Sequence, residues 1–499
     1  MKKKSQKEPW QAYVETLPLP DQEKLAEYWA QFASHCRLSS REKKTMREDI
    51  ERAFLYYAKA GLDLDQALAL LDTKFLGGFY ARPPVLWFHL DDAAKIYPLS
   101  MERGRMAVFR LSVTLKEKVV PELLQMALTF TMKRFPSFAT TLKKGVFWHY
   151  LDTTKRRFSV EQEKDIPCQP LKVSHSGSQS FRALYWENRI SVEFFHVLTD
   201  GSGGLIFLKT LVAEYLRLRG VEIPPTDTLW DINAAFSPEE LENAFAKVPV
   251  GKIASGFMDK AALQMTGKLS QHKPCRILHM KMDAEQLKKA AEKYQATVTQ
   301  YLLGLMFLAE KGATDEWQGD ANIQVPVNMR KFYPSKTVRN FSLYCGIRLP
   351  IGEITDLAGI LPSIREQMGK KAAAEAMAEM LTATEKLVRM LKYIPLVVKE
   401  PVAKLVYGFL GDQIFSNTLS NLGVVELPRV MAEQIQDMDF VLGTAITNRV
   451  SCALLTVNQR AVLSVSKQTV DPSFEEQLYA LLSAEGIDVQ VEGSPLYED

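Results

Sequence analysis

Apolar and polar residues alternate from Ala107 to Leu115. Ala107, Phe109, Leu111, Val113 and Leu115 fall on one side, with Val108, Arg110, Ser112 and Thr114 on the other, the period of a half-buried strand. A helical pattern follows from about Val119 to Lys133 and stops before Phe135-Pro136. The same order returns later in the chain. Leu278, Met280 and Met282 alternate with Ile277, His279 and Lys281; Asp283 then caps a helix bearing Leu287, Ala290 and Tyr294, with Gln286 three residues past the cap. A second helix from about Thr299 to Lys311 is apolar nearly all round and therefore buried, and Asn322 to Val327 reads as the next strand. Two units built alike, strand, helix, then strands, are expected.

The flanking segments fill out this plan. Before it, about Pro20 to Leu71 reads as a small helical region. Asp21 caps a helix with Leu25, Tyr28, Trp29 and Phe32 on one face, Ser39 and Glu42 have capping-box spacing, and Met46, Ile50, Phe54 and Tyr57 recur at helical intervals. This region reads as a packing appendage or interaction module. Gly77-Gly78 through Pro83-Pro84 breaks the helical pattern, and Phe88 to Asp92 leads into the main body, either as an ordered segment or lining a channel. Val221-Glu222-Ile223-Pro224-Pro225 opens a weakly patterned crossover in which Ser237 caps a short helix over Pro238 to Ala246. After Pro350, Leu357 to Lys371 is amphipathic and Ala372 to Leu391 helical. Leu396 to Leu410 mixes apolar residues with Lys399 and Lys404 around Pro401, which suits a helix docked on its own core or one lying on a membrane. Val450 to Val457 and Ala461 to Lys467 read as strands joined by Asn458-Gln459-Arg460, before a closing helix with Phe474, Leu478 and Leu481. The expected divisions are 1–76, 77–220, 221–275 and 276–499.

The candidate chemistry lies at the end of a hairpin. Phe181 to Trp186 and Ser191 to Phe195 read as paired strands around Glu187-Asn188-Arg189. The second strand delivers His196; Asp200 follows four residues on, then Gly201-Ser202-Gly203-Gly204 and an apolar helix. A neutral imidazole with an ordinary pKa of about 6.5 accepts a proton at neutral pH. Asp200 either orients that ring or turns away to lock the loop through an arginine. A structural histidine at a strand end is the competing reading of the same pattern.

His196 to Gly201, on a hairpin strand and followed by a helix, resembles the His-x-x-x-Asp-Gly motif of the CoA-dependent acyltransferase superfamily, which includes chloramphenicol acetyltransferase, alcohol O-acetyltransferases, BAHD acyltransferases and condensation domains. Val325-Pro326-Val327-Asn328-Met329-Arg330 resembles its later strand with a loop-locking arginine, and Ser420-Asn421-Leu422-Gly423 a segment found late in the alcohol acetyltransferase branch. The resemblance runs from about Val85 to the C-terminus. Many members carry two adjacent histidines, whereas the first position here is Phe195. The resemblance implies an α/β fold of two chloramphenicol acetyltransferase-like lobes with a channel between them, preceded by the helical region. It implies His196 as catalytic base, Asp200 paired with Arg330 (Arg339 the second choice), and Gly201, Thr418 and Ser420 as oxyanion or substrate-binding candidates. Acyl-CoA would be a co-substrate rather than a bound cofactor, and the acceptor a small alcohol or amine, with acetyl among the candidate acyl groups. A carrier-protein thioester as donor, as in condensation domains, is the alternative. A non-catalytic interaction protein on the same fold is a third reading. If Asp200 is buried with its arginine, Asp200→Asn damages the loop as much as the rate, since breaking such a pair costs about 3–5 kcal/mol.

Composition narrows the field. At 499 residues the chain is long enough for two or three domains, and 46% hydrophobic with 24% charged residues is a globular balance. A net charge of +3 argues against a nucleic-acid-binding surface. Five scattered cysteines without a Cys-x-x-Cys pair suit free thiols in a reducing cytoplasm. No apolar stretch reaches the roughly 18 residues of a membrane span, and the basic start, Met1-Lys2-Lys3-Lys4, lacks the apolar run of a secretory signal. The remaining histidines, His35, His89, His149, His175, His272 and His279, have no ligand spacing, so no metal is expected. Asp200-Gly201-Ser202-Gly203-Gly204 differs from the serine-protease string because Gly201 separates the Asp from the Ser, and no Gly-x-Ser-x-Gly elbow or P-loop is present.

Overall fold

The computed structural model describes the chain except residues 1–8, 37, 73–86, 93, 96, 99–105, 155–156, 175–176, 225, 253–259, 402–413, 444–447, 496 and 498–499. The expected break at Gly77 to Pro84, His175, and most of Leu396 to Leu410 lie outside the described residues.

Four N-terminal helices, α1 (Pro9–Thr16), α2 (Leu19–His35), α3 (Ser40–Lys59) and α4 (Leu64–Leu70), bury Tyr28, Phe32, Ile50, Phe54 and Tyr57 in a core continuous with that of the main body. Ser39 and Glu42 form the expected capping box. Asp21 does not cap α2. That helix begins at Leu19 after Pro18, and Asp21 falls in its first turn, where a negative charge suits the exposed N–H groups. The Tyr57 hydroxyl donates to the Leu218 carbonyl, so α3 is tied to the C-terminal end of the helix that follows His196.

One five-stranded sheet carries the candidate site. Its order is Ile435–Leu442, Val108–Leu115, Arg189–Phe195, Phe181–Trp186, Val160–Gln162. Helices α5 (Pro121–Arg134) and α6 (Gly201–Leu218) cover one face. Val108–Leu115 is buried on both faces rather than half-buried, because its polar side meets partners instead of water. Arg110 donates to Glu163 at 2.7 Å, Ser191 at 2.7 Å and Glu193 at 3.3 Å, and Ser112 donates to Asp439 at 2.9 Å. Buried polar groups persist only when paired in this way. The hairpin turn is tighter than expected. Trp186 pairs with Arg189, which leaves Glu187-Asn188 as the loop, with Glu187 in the left-handed region at φ 50°.

A seven-stranded sheet forms the second core. Its order is Ser342–Pro350, Asp320–Asn328, Asn417–Val424, Val450–Val457, Arg460–Lys467, Arg276–Asp283, Gln490–Gly493. The Asn417–Val424 strand runs parallel to both neighbours. Helices α7 (Ala284–Lys293), α8 (Val298–Gly312), α9 (Leu357–Lys371) and the closing helix Ser473–Ala484 pack with it. Asn458 and Gln459, at φ 49° and 62°, make a two-residue turn of the kind that matches strand twist, and Arg460 belongs to the strand. A third, smaller sheet includes Trp87–His89, Thr140–Lys144 and His149–Thr153.

The two large units are interlocked. Ile435–Leu442, far along the chain, completes the sheet that holds His196 by pairing with Val108–Leu115. In the crossover, Ser237 makes no capping bond, and the expected helix is two short 3-10 turns, Pro238–Leu241 and Ala244–Lys247. Glu240 nonetheless fixes this segment: its carboxylate accepts from both terminal nitrogens of Arg134 at 2.7 and 2.8 Å, and Arg134 lies 4.5 Å over the Trp230 ring. Arg134→Ala strands Glu240 in a dry site. Urea unfolding of that variant is expected to show a loss of about 3–5 kcal/mol, the cost of breaking a buried pair; a loss under about 1 kcal/mol would mean the site is wet enough to screen the charge.

Candidate active site

The Arg189–Phe195 strand places alternate side chains on opposite faces. Phe195 is fully buried, so the residue before His196 belongs to the core. His196 comes next, where the strand ends and its backbone N–H donates to the Ala107 carbonyl at 2.8 Å. Its ring is half-buried, stacked on Tyr97 at 4.8 Å between centroids and edge-on to Phe109 at 5.1 Å. This aromatic lining removes water from the imidazolium form and lowers the His196 pKa from its ordinary value; the Asp200 charge and the Asn340 side chain oppose the shift.

The ring's tautomer follows from its partners. His196 Nδ1 lies 2.9 Å from Asn340 Oδ1. Asn340 Nδ2 faces Asp91 Oδ2 at 3.3 Å and the Val197 carbonyl at 3.5 Å. A carboxylate and a carbonyl both accept, so the amide nitrogen must point to them and its oxygen to the histidine. Nδ1 then carries the proton and Nε2 keeps the lone pair. Asp91 is fully buried; desolvation pushes its pKa up to about 6, against the pull of Arg339 and the Ala94 N–H. Arg339, second choice as partner of Asp200, instead approaches Asp91 at 3.9 Å and donates to the His89 carbonyl at 2.7 Å.

Asp200 is turned away from the imidazole. One oxygen caps α6 by accepting from the Gly203 N–H at 2.9 Å. The other accepts from Arg330 at 2.7 Å and from the Phe341 N–H at 2.7 Å. Arg330 also donates to the Thr337 and Arg339 carbonyls at 2.9 and 2.8 Å. Thr199 donates to the Val338 carbonyl at 2.6 Å. A side chain at position 203 would overlap that carbonyl, so the loop and the 337–341 segment touch as closely as a glycine allows.

Gly201 opens α6 and meets Leu422 from the parallel strand Asn417–Val424. On that strand the odd positions face α8: Asn417 donates to Glu310 and Asn421 to Thr299. Thr418, Ser420 and Leu422 therefore share the opposite face, the one that reaches Gly201. Thr418 is already engaged. Its hydroxyl donates to Gln324 Oε1 at 3.1 Å and accepts from Asn448 at 3.2 Å. Ser420 is buried on the same face, two residues nearer to Leu422. Asn340 and Asp91 are the residues that sequence reasoning missed. Asp91 lies in the stretch expected to be an ordered entry segment or a channel lining, and Asn340 is next to the second-choice arginine.

No protein-family profile matches the sequence, and no curated protein does. Solved structures do match. The TRI3 trichothecene 15-O-acetyltransferase from Fusarium sporotrichioides superposes with a TM-score of 0.54 at 11% identity, covering 80% of this chain and 94% of that one. F. graminearum TRI101 complexed with ethyl coenzyme A gives 0.51 at 10% identity, with 82% and 100% covered. The first condensation domain of the CDA synthetase gives 0.50 at 12%, with 80% and 94% covered. The resemblance to CoA-dependent acyltransferases thus holds at the level of fold.

The partner set around His196 predicts its titration. Imidazole 15N NMR near neutral pH should show a protonated Nδ1 and a bare Nε2, with a midpoint below about 6.5. A depressed midpoint means that protonation is harder in the folded state, so this group's contribution to stability falls as pH drops through its unfolded value. Asn340→Leu should shift population toward the Nε2–H tautomer; an unchanged tautomer ratio would mean that Asn340 does not set it.

Proposed function

We propose that the chain is an acyltransferase that moves an acyl group from coenzyme A to an alcohol or amine, with His196 as general base. The observation that carries this reading is the ring's arrangement: Nδ1 held by Asn340, the pKa lowered, Nε2 left as a base, and Asp200 committed elsewhere. The fold neighbours support the reaction class, one of them holding ethyl coenzyme A.

In such a transfer the thioester already has a good leaving group, and the acceptor is the poor reactant. Nε2 takes the acceptor's proton as its O or N bonds to the thioester carbonyl carbon. The tetrahedral oxyanion collapses, the C–S bond breaks, and the imidazolium returns the proton to the departing thiolate. Asp200 and Arg330 hold the loop and touch no reacting atom. Ser420 is the better oxyanion donor, because the Thr418 proton is already given to Gln324. The acceptor and donor would reach the ring through a channel between the two units.

A panel of acyl-CoA donors and small acceptors, read by free-thiol release, tests the reading. His196→Ala should lower turnover by about 10²–10⁴ while leaving the fold intact. Ser420→Ala should cost about 10²–10³ and Thr418→Val far less. The acid limb of kcat/KM should fall below the ordinary histidine value of about 6.5, with activity lost as pH drops and Nε2 protonates. Unchanged turnover in His196→Ala removes the mechanism. Thiol release only from carrier-protein thioesters makes the enzyme condensation-like, a fold it shares.

A further inference from the structure

Helix α10 (Ala374–Met390) ends in a turn, and residues 396–401 are helical again. Leu396 and Lys399 point inward there, but their neighbours do not. Met390, Tyr393, Val397 and Val398 are 65%, 77%, 75% and 53% exposed, and Ile394 is exposed beside them. A β-hairpin tip from a distant part of the chain lies against this segment and adds Val146, 71% exposed, and Phe147. The Leu396 N–H donates to the Val146 carbonyl at 2.9 Å, Lys399 donates to the Phe147 carbonyl at 2.8 Å, and Lys399 sits over the Trp148 ring. Two separate loops are thus bonded together to present one apolar ridge. Local bonding this specific is not what a random scatter of surface hydrophobes shows.

The ridge is basic. Lys386, Arg389 and Lys392 are exposed along it; of the carboxylates beside them, Glu385 lies within reach of the Arg389 charge and Glu400 is taken up by Lys144 at 2.6 Å, so cations outnumber carboxylates. We propose that this ridge docks the protein on an anionic lipid surface, with the aliphatic and aromatic side chains entering the headgroup–acyl boundary and the cations meeting lipid phosphates. The charge decides the occupant. Apolar side chains ringed by cations suit a negatively charged bilayer, where both terms act together. No helix among the described residues is long and apolar enough to cross a membrane, so the attachment is peripheral. The inference is independent of the acyl-transfer reading.

The test is co-sedimentation of the full chain with vesicles of phosphatidylcholine alone or of phosphatidylcholine with phosphatidylglycerol. The anionic vesicles should bind at least about tenfold more protein, and binding should weaken between about 50 and 500 mM salt as charges are screened. Tyr393→Glu with Val397→Glu should cut binding about tenfold or more, and Arg389→Glu with Lys392→Glu should abolish the preference for anionic lipid. Trp317→Glu, at a residue 83% exposed elsewhere, should change nothing. All these positions are exposed, so unchanged melting curves separate lost binding from lost fold. Binding that ignores the ridge variants overturns the proposal. So does failure to bind anionic vesicles. So does a dimer in sedimentation analysis that the ridge variants dissociate without any vesicle binding, since the ridge would then be an interface between copies.

Discussion

One carboxylate holds the candidate site in shape. Asp200 accepts from the Gly203 N–H on its own helix and from Arg330 and the Phe341 N–H on the far segment, so its charge is shared among three donors. Charge-assisted bonds of this kind are stronger and more directional than neutral ones. Arg330 belongs to the seven-stranded unit and Asp200 to the five-stranded one. The contact therefore joins the two cores at the place where the loop after His196 must keep a fixed path. Stability alone does not explain such a pair, because its desolvation penalty offsets most of the attraction. What it secures is registry: any sliding of one unit over the other leaves a buried charge without partners.

The imidazole depends on a second buried acid in a different way. Burial raises the Asp91 pKa to about 6, against the pull of Arg339 and the Ala94 N–H. A carboxyl raised above its unfolded value favours folding at low pH and gives that contribution up as pH rises through the folded value. Asp91 and the Val197 carbonyl both present acceptors to the Asn340 amide nitrogen, and the carbonyl remains one whatever the charge on Asp91. The ring's tautomer thus rests, through Asn340, on two groups it does not touch.

What the sequence made legible was local. The alternation of Val108–Leu115, the hairpin ending at His196, the capping box at Ser39 and the helix after Asp200 all follow from spacing within one element. The Asp200–Arg330 pair was reachable because both residues sit in recognisable strings. The Asp91–Asn340–His196 chain was not. Those contacts join residues 249 and 144 positions apart, and no periodicity encodes where two distant loops cross. Arg110 and Ser112 were misjudged for a related reason. Alternation marks a polar face, but only the arrival of Glu163 and Asp439 from elsewhere decides that this face is paired and dry instead of solvated.

That paired face explains how the two units are kept from drifting apart. Asp439 lies on Ile435–Leu442, the strand that crosses into the first sheet, and accepts from Ser112. Two residues earlier, Asp437 accepts from Lys281 of the seven-stranded sheet at 2.7 Å. One strand therefore bonds by backbone to one sheet and by side chain to the other. Polar contacts suit this junction better than apolar ones. An apolar interface tolerates small slips at little cost, whereas a buried ion pair has one register in which every charge is met. The same logic operates at Asp200, so the candidate site is bracketed by two charge-matched joints.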